Sequence, residues 1–429
     1  MLDTFFKLSE NGTTVRRELL AGVTTFLTMA YIIFVNPSIL KIAGMDAGAV
    51  LVATCLAAAI GTAIMGLYAN YPFALAPGMG LNAYFTFGVV QGMGHTWQVA
   101  LGAVFISGVI FMAISVLPVR EWVVNSIPQS LKLAISAGIG LFLGIIAFEQ
   151  SGLIVAHPAT LVTLGDVTSP TVLLAIAGFM AMAVLTALRV PGAMIISILA
   201  LTFIGVAFGL TEPKGVFSMP PSLAPTLMQM DLAGALNVGF VTIIFAFLFV
   251  DLFDTAGTLI GLAHRGGMLD AQGRLPRLRK ALLADSTATC VGAVLGTSTT
   301  TSYIESAAGI NTGGRTGLTA VVVSVLFLLA LFLSPLAATV PAFATAPALL
   351  FVACLMVRGL AEINWDDITD VAPAVVTALS MPLTYSIANG IAFGFVTYAV
   401  VKLASGRASE VSPAVYVLAV LFVLKFWFV

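Results

Sequence analysis

The stretch Tyr71-Pro-Phe-Ala-Leu-Ala-Pro-Gly-Met-Gly-Leu-Asn-Ala-Tyr-Phe85 is apolar but contains two prolines and two glycines. Proline removes a helical hydrogen bond and clashes with the preceding turn, so this stretch predicts a broken helix. A second stretch, Leu295-Gly-Thr-Ser-Thr-Thr-Thr-Ser-Tyr-Ile-Glu-Ser-Ala-Ala-Gly-Ile310, carries seven Ser or Thr residues and a carboxylate. Irregular backbone at membrane depth is tolerated only where protein or a water-filled cavity surrounds it. Paired broken segments in corresponding places of two halves indicate the binding site of a transporter.

The composition around these two segments is that of a membrane protein. Of the 429 residues, 60% are hydrophobic and 9% are charged, about a third of the charged share of a soluble domain. So few charges cannot cover a soluble surface, and lipid must therefore be the solvent for most of it. The net charge of −1 argues against a nucleic-acid partner. Cys55, Cys290 and Cys354 lie far apart and indicate neither a disulfide framework nor a zinc site.

Continuously apolar segments follow one another along the chain, each long enough to cross a hydrocarbon core of about 30 Å. They span residues 19–40, 49–70, 97–118, 133–150, 171–188, 192–210, 235–262, 281–296, 317–340, 345–360, 371–402 and 411–429. Their unbroken hydrophobicity excludes a β-barrel, whose strands alternate. With the broken segments counted as half-helices, the sequence predicts an all-α polytopic membrane protein of about 14 spans in two sets of seven. Because seven is odd, the two halves are expected to run in opposite orientations as inverted repeats.

The predicted organisation has four parts. Residues 1–18 form a cytoplasmic tail without the features of a signal peptide, residues 19–210 the first repeat, residues 211–234 an external linker and residues 235–429 the second repeat.

Basic residues determine the predicted orientation, because Lys and Arg concentrate in cytoplasmic loops. A fourteen-span arrangement with a cytoplasmic N-terminus places most of them inside: Arg120, Lys132, Arg189, Arg265, Arg274, Arg277, Arg279, Lys280, Arg315 and Arg358. Lys402 and Arg407 fit less cleanly. The preceding segment 371–402 contains Met381-Pro382 and Asn389-Gly390, so it is either one broken span or two short ones.

Three carboxylates are expected within the membrane segments: Asp251, Asp254 and Glu305. Asp251 and Asp254 are three residues apart and share one face of their span. A charged Asp at a helix centre costs about 2.5–3.5 kcal/mol, so the pair needs a role or a partner. One interpretation is that both lie near the cytoplasmic end and pair with Arg265 or with the basic loop that follows it. The other is a cavity-facing acid pair that carries a proton.

Polar residues of the broken segments are candidates for binding a ligand. Glu305 can accept hydrogen bonds from the N–H groups of a neutral heterocycle, and Tyr303 can stack on its face; an exposed polar loop with an incidental Glu is the alternative. Asn82 holds the matching place in the first segment, where its amide suits the edge of a base or caps a helix. Asn36, followed by Pro37, either contacts a ligand or satisfies backbone groups freed by the proline kink.

Several activities lack a sequence signature. No Walker motif, GxSxG or HExxH occurs, which disfavours a primary pump and an enzyme. His95, His157 and His264 do not cluster, so neither a metal nor another cofactor is expected.

Long strings at these positions resemble one known family, the AzgA-like adenine/guanine/hypoxanthine permeases. This is a branch of the nucleobase–cation symporter family (nucleobase–ascorbate transporter-like) that includes uracil and xanthine permeases. The resemblance covers nearly the whole chain. It is carried by Arg17-Glu-Leu-Leu-Ala-Gly-Val-Thr-Thr-Phe-Leu-Thr-Met-Ala-Tyr-Ile-Ile-Phe-Val-Asn-Pro37, Pro77-Gly-Met-Gly-Leu-Asn-Ala-Tyr84, Phe249-Val-Asp-Leu-Phe-Asp-Thr-Ala-Gly-Thr258, Gly296-Thr-Ser-Thr-Thr-Thr-Ser-Tyr-Ile-Glu-Ser306 and Met381-Pro-Leu-Thr-Tyr-Ser-Ile-Ala-Asn-Gly390.

The resemblance implies a 14-span fold divided into a core domain and a gate domain. The core would comprise residues from about 19–118 and 235–340, and the gate residues from about 131–210 and 345–429. The third and tenth spans would each combine a short strand with a half-helix, and the substrate would lie between them.

The resemblance also implies roles for individual residues. Glu305 would hold the purine, and Asp251 would contact the purine or the coupling proton. Asp254 would assist protonation, and Asn82 would line or shape the site. Tyr303 and Thr301 are counted with the substrate site.

Together, the residues and the resemblance predict proton-coupled uptake of a purine nucleobase by an elevator-like alternating-access motion. The expected location is the plasma membrane (the inner membrane of a Gram-negative bacterium), with the protein as a homodimer. An anion transporter of the same fold is the alternative, which carboxylates at the site disfavour. An ion channel is a further alternative and would show conductance that is independent of substrate.

Overall fold

The computed structural model describes residues 2–117, 127–236, 241–271 and 274–428. Among these residues, nine helices are long and apolar enough to cross a membrane, and three shorter helices are also apolar. The loop at Arg120, predicted to be cytoplasmic, lies outside the described residues. The predicted all-α membrane fold is confirmed.

The first half of the chain contains nine helices and three strands within the described residues. They are α1 Leu2–Phe6, α2 Val15–Met29, α3 Ile32–Ile42, α4 Ala47–Ile64, β1 Leu75–Pro77, α5 Met79–Ala83, α6 Trp97–Val116, α7 Gln129–Gln150, β2 Ile154–His157, β3 Leu161–Leu164, α8 Pro170–Ala187 and α9 Ala193–Ala207. Single π-helical segments, Met65–Ala69 and Tyr84–Gly92, continue α4 and α5. Strands β2 and β3 pair as an antiparallel hairpin between α7 and α8.

The second half contains ten helices and one strand within the described residues. They are α10 Leu232–Ala235, α11 Val241–Gly266, α12 Leu278–Leu295, β4 Thr300–Ser302, α13 Ser306–Asn311, α14 Gly317–Ala330, α15 Ser334–Thr339, α16 Ala342–Val357, α17 Ile368–Leu383, α18 Ile387–Ala404 and α19 Pro413–Phe428. A 3₁₀ turn, Leu331–Leu333, joins α14 to α15, and two further 3₁₀ segments, Arg358–Glu362 and Ala408–Glu410, follow α16 and α18.

Polar side chains set several helix starts. Thr14 caps α2 by accepting from the backbone N–H of Arg17, and Asp46 caps α4 by accepting from Ala49. Asp367 caps α17 by accepting from Thr369. Such caps satisfy N–H groups that have no partner within their own helix.

The two broken segments meet at the centre of the molecule. Strand β1 pairs antiparallel with β4, with Leu75 opposite Ser302 and Pro77 opposite Thr300. Each strand is followed by a half-helix, α5 or α13. On the outer edge of β1, the Thr62 hydroxyl accepts from the Leu75 N–H at 2.9 Å and donates to its carbonyl at 3.0 Å. The strands expected in the two broken segments are therefore present, and side chains replace the missing ladder bonds, as membrane burial requires.

Corresponding helices of the two halves of the chain make matching contacts with the opposite half. Helix α7 packs against α16 and α17, and α16 packs against α7 and α8. Likewise α6 packs against α12, and α14 packs against α4. Reciprocal contacts of this kind are expected when two repeats are related by a two-fold axis. Helix α19 packs on α18.

The ambiguous segment 371–402 consists of two helices. Helices α17 and α18 form a hairpin in which Gly390 lies against Met381 and Gly394 against Thr377. The chain reverses at Tyr385, whose φ of 49° is left-handed. Lys402 and Arg407 consequently return to the end of the bundle where α7 begins, since Ser130 donates to Asp370 at 3.3 Å. The predicted orientation places this end on the cytoplasmic side, so both residues agree with it once 371–402 is two helices. The orientation and the number of membrane crossings stay predictions.

A charged cluster fixes this end of the bundle. The Lys402 ammonium is buried, with carboxylate oxygens of Glu410, Asp370 and Asp367 at 3.1, 3.4 and 3.9 Å. Arg407 pairs with Asp367 and with Glu410 at 2.7 Å each. The Thr369 hydroxyl and the Arg407 guanidinium lower the pKa of Asp367 to about 2. Since this pKa is lowered in the folded state, the stabilisation is complete at neutral pH and is lost only as the pH falls toward that value.

Lys402→Met should destabilise the protein, because Asp370 would lose its ion pair and Asp367 and Glu410 would each keep only the one with Arg407. We expect a loss of about 2–3 kcal/mol, less than for a wholly buried pair because the carboxylates are partly exposed. The measurement is the midpoint of thermal unfolding in detergent. Lys7→Met is the matched control, since Lys7 pairs with Glu10 on the surface, where ion pairs contribute little. Equal midpoints for the two variants would contradict the prediction.

Candidate functional site

Glu305 lies at the start of the half-helix α13, and its carboxylate is held by a tyrosine. Its Oε1 accepts a hydrogen bond of 2.7 Å from the hydroxyl of Tyr31, which is buried between α2 and α3. Glu305 is itself half-buried, and within the described residues its side chain makes this hydrogen bond alone. Glu305 is therefore an oriented group with one oxygen to spare, and the alternative of an incidental loop carboxylate does not hold.

Asp251 lies on α11 and is 1% exposed. Its Oδ2 lies 3.0 Å from the hydroxyl of Thr289 on α12. Its Oδ1 is buried and has no hydrogen-bond partner among the described residues. A buried carboxylate oxygen without a partner is costly, so this atom is a candidate contact for a bound molecule or a proton.

Asp254 has a different environment from Asp251. Its side chain is exposed, and it forms neither a hydrogen bond nor an ion pair with the described part of the chain. One and two turns further along α11, no described atom lies within 4 Å of a Cβ placed at Gly257 or Gly261. Asp254 therefore lies on an open face of α11. The alternative in which the two acids pair with Arg265 is not seen within the described residues.

The expectation of three carboxylates within the membrane segments was wrong. Asp285 on α12 is completely buried as well. Its Oδ2 accepts from Thr255 at 2.8 Å and its Oδ1 from Ser302 at 2.7 Å. Asp285 and Thr289 are four residues apart and so share one face of α12, which is the sequence signal that could have identified Asp285.

Strand β4 connects these acids. Thr300 accepts from the Thr289 hydroxyl at 2.9 Å through its carbonyl, and the Thr301 hydroxyl lies 2.8 Å from that of Thr255. The next residue, Ser302, donates to Asp285. Three consecutive residues thus link the strand to α11 and α12. The hydroxyl of Tyr303 donates to the Pro77 carbonyl at 2.5 Å, so it also ties β4 to β1.

Two buried asparagines hold the loop that precedes β4. The Asn82 Oδ1 accepts from the Ser298 hydroxyl, while its Nδ2 is buried without a partner in the described chain. Asn82 is not a helix cap, because it lies inside α5. Asn36 donates to the hydroxyls of Thr54 and Thr297 at 2.7 and 2.9 Å, and not to backbone groups freed by its proline.

The site is thus a set of polar groups on and around β4 and the two half-helices, inside an apolar bundle. It offers a carboxylate oxygen at Asp251, an accessible carboxylate at Glu305 and an amide donor at Asn82, which is the set of groups that recognises a heterocycle with both N–H and ring-nitrogen atoms. Its predicted members Thr301 and Tyr303 are engaged in holding β4, and Asp254 lies outside the hydrogen-bonded set. In the residues that the structure describes, no three His, Cys, Asp or Glu side chains are grouped as for a metal ion.

Known proteins share both the sequence and the fold. A model of the permease family matches residues 16–422. The adenine permease AdeP of Escherichia coli is 49% identical over 429 residues, covering 100% of this chain and 96% of that protein. The guanine/hypoxanthine permease PbuG of Bacillus subtilis is 48% identical over 439 residues, covering 100% of both.

Two solved structures share the fold at low identity. The transmembrane domain of the cyanobacterial bicarbonate transporter BicA has a TM-score of 0.65 at 17% identity, covering 89% of this chain and 97% of that one. The murine anion transporter Slc26a9 in its inward-facing state has a TM-score of 0.66 at 12% identity, covering 90% and 68%.

A bundle of apolar helices that encloses two paired half-helices and a polar site defines a multi-pass membrane transporter. The match over nearly the whole length shows that the chain belongs to the permease family. Its resemblance to the adenine and guanine/hypoxanthine branch is confirmed.

Proposed function

We propose that this transporter takes up a neutral purine nucleobase (adenine, guanine or hypoxanthine) together with a proton. The observation that carries the proposal is the unpartnered, buried Oδ1 of Asp251, whose carboxylate is linked through Thr289 to strand β4. The names of the relatives, adenine permease and guanine/hypoxanthine permease, support a purine as the substrate.

Each polar group of the site has a role in this proposal. Glu305 accepts hydrogen bonds from ring N–H groups of the purine through the oxygen that Tyr31 leaves accessible. Asn82 lines the site and supplies an amide donor. Thr301 and Tyr303 hold the strand that shapes the site. Charge-assisted hydrogen bonds of this kind are about twice as strong as neutral ones.

Asp251 is the proposed carrier of the coupling proton, with Asp254 assisting its protonation from the open face of α11. The Thr289 hydroxyl has one proton but lies within hydrogen-bond distance of two oxygens, the Thr300 carbonyl and Oδ2 of Asp251. Both contacts become hydrogen bonds when Asp251 is protonated and donates to Thr289. Protonation from the acidic outer side would favour loading, and release into the less acidic interior would reset the carrier.

The proposed motion is elevator-like. The hydrogen bonds of the site join Tyr31, α11, α12 and the strand β4, all of which lie in the ranges assigned to the core domain. A site built within one domain can travel with it past the gate domain, formed by about 131–210 and 345–429. We further propose a homodimer in the plasma membrane with a cytoplasmic N-terminus. The orientation agrees with the position of Lys402 and Arg407, which lie at the end of the bundle where α7 begins.

Anion transport is the alternative, since the BicA and Slc26a9 structures share the fold. The site chemistry favours the purine. An anion would be drawn to the positive end of a half-helix, but here Glu305 places a carboxylate at the start of α13. A channel would instead conduct ions whether or not a purine is present.

The test is uptake of radiolabelled adenine, guanine and hypoxanthine by cells that lack their own purine permeases. We expect uptake of at least one base, stimulated by external acid, abolished by a protonophore and unaffected by excess bicarbonate. Uptake of none of the three would contradict purine transport, and protonophore-resistant uptake would contradict proton coupling.

Tyr31→Phe should weaken purine affinity without preventing folding. The change removes the hydroxyl that orients Glu305 but keeps the buried ring. A hydrogen bond to a charged group contributes about 1.5–3 kcal/mol, so we expect KM for uptake to rise about tenfold or more. Tyr68→Phe, at an exposed tyrosine, is the control. If KM is the same in both variants, Tyr31 does not orient the site.

A further inference from the structure

The turn between α13 and α14 is capped at both ends by charged groups. At the end of α13, the Arg315 guanidinium donates to the carbonyls of Ile310 and Gly314 at 2.6 and 2.8 Å. At the start of α14, the Glu18 carboxylate accepts from the Arg315 N–H at 2.9 Å, from the Thr319 N–H at 3.2 Å and from the Thr319 hydroxyl at 2.6 Å. Glu18, predicted to end the N-terminal tail, thus lies in α2 and joins this helix to the second half of the chain.

The carboxylate of Glu18 is buried without an ion pair among the described residues. It is 0% exposed, and the Arg315 guanidinium bonds to carbonyls instead. Its compensation consists of the N–H groups at the start of α14, where the helix dipole favours a negative charge. The Thr316 N–H contributes a fourth donor at 3.3 Å. A buried charge is stable only with such a set of hydrogen bonds.

The placement of Glu305 depends on this cap because α13 is short. Its six residues, Ser306–Asn311, are too few for a helix to hold its own position. It is held against α2, where Gly309 is packed against Ala21 and Thr25 so closely that a Cβ would not fit. Tyr31, beyond the far end of α2, bonds to Glu305. Helix α2 therefore packs on α13 at Ala21 and Thr25, while Glu18 and Tyr31 bond to residues on either side of α13.

We propose that Glu18 is a positioning residue for the substrate site. By capping α14 it fixes α13 against α2, and so determines where the Glu305 carboxylate meets the substrate. The inference rests on the proposed function of Glu305, and it assigns Glu18 no contact with the substrate.

The test is the purine KM of Glu18→Gln in proteoliposomes, with uptake normalised to folded transporter. Glutamine keeps the size of the side chain but loses its charge and turns an NH₂ group toward backbone N–H donors. We expect KM to rise about tenfold, while the maximal rate per folded molecule changes by less than about threefold. Thr319→Val, which removes one donor to Glu18, should raise KM by a smaller factor. Glu10→Gln is the matched control, because Glu10 is exposed.

A cap with a purely structural role would lower the amount of folded protein and leave KM unchanged, and that result would overturn the proposal. If Glu18→Gln is not recovered folded, the KM of Thr319→Val is the test: a raised KM supports the proposal, and an unchanged KM overturns it. Glu305→Gln separates this inference from the function on which it rests. Normal purine binding by Glu305→Gln would mean that the proposed site is wrong. Loss of binding by Glu305→Gln with a normal KM in Glu18→Gln would reject the positioning role alone.

Discussion

Asp251→Asn should abolish proton-driven accumulation of purine while leaving purine binding within about threefold of normal. An asparagine amide can donate to the Thr289 hydroxyl as a protonated Asp251 would, so the variant resembles the loaded carrier. It cannot release a proton, however, and the step that couples transport to the gradient is lost. A group that transfers a proton contributes about a hundredfold or more in rate, so accumulation should fall to background.

Two measurements separate proton-driven accumulation from purine binding. Accumulation is followed in proteoliposomes with an acidic exterior, and binding is followed by purine-induced thermal stabilisation in detergent. Asp166→Asn makes the same chemical change in an exposed loop and should leave both unchanged. Accumulation by Asp251→Asn at the rate of that control would show that the coupling proton is carried elsewhere.

Glu305→Gln should have the opposite signature, a loss of purine binding itself. The Tyr31 hydroxyl can still donate to the amide oxygen, so the half-helix α13 keeps its place. The atom turned toward the substrate would be an NH₂ donor facing a ring N–H donor. Loss of a charge-assisted hydrogen bond and its replacement by two opposed donors should weaken binding about a hundredfold.

Calorimetric titration of purine into the purified protein measures this loss directly. Glu212→Gln, at an exposed position between α9 and α10, is the control. Transport should also be absent in Glu305→Gln, because a base that does not bind cannot be carried. Binding within a few-fold of the control would place the purine away from α13.

The sequence predicts the residues of the candidate site but not the hydrogen bonds that connect them. The prolines, glycines and hydroxyl residues of the broken segments are local signals, so the half-helices and Glu305 could be predicted. Tyr31 received no role, because it contacts Glu305 across 274 residues of chain. The sequence places Glu18 at the end of the polar N-terminal tail, because its partners at the start of α14 lie about 300 residues away.

The acid pair illustrates what helical periodicity can and cannot predict. Positions three apart lie about 60° from each other around a helix, which is close enough to share a face but wide enough to reach different surroundings. Asp251 is buried against α12, whereas Asp254 is exposed. The buried acid that α11 contacts directly is Asp285, which accepts from the Thr255 hydroxyl where α11 packs against α12 and β4.

The sequence by itself determined the solvent of this protein, its helical class and the two places where its helices break, because these depend on composition and on neighbours along the chain. Only the tertiary structure decided which buried acid has a free oxygen, which tyrosine orients Glu305 and where Lys402 lies. The physical reason is that each of these facts depends on a hydrogen bond or an ion pair between helices, and the crossing of the two repeats brings together groups that the chain keeps far apart.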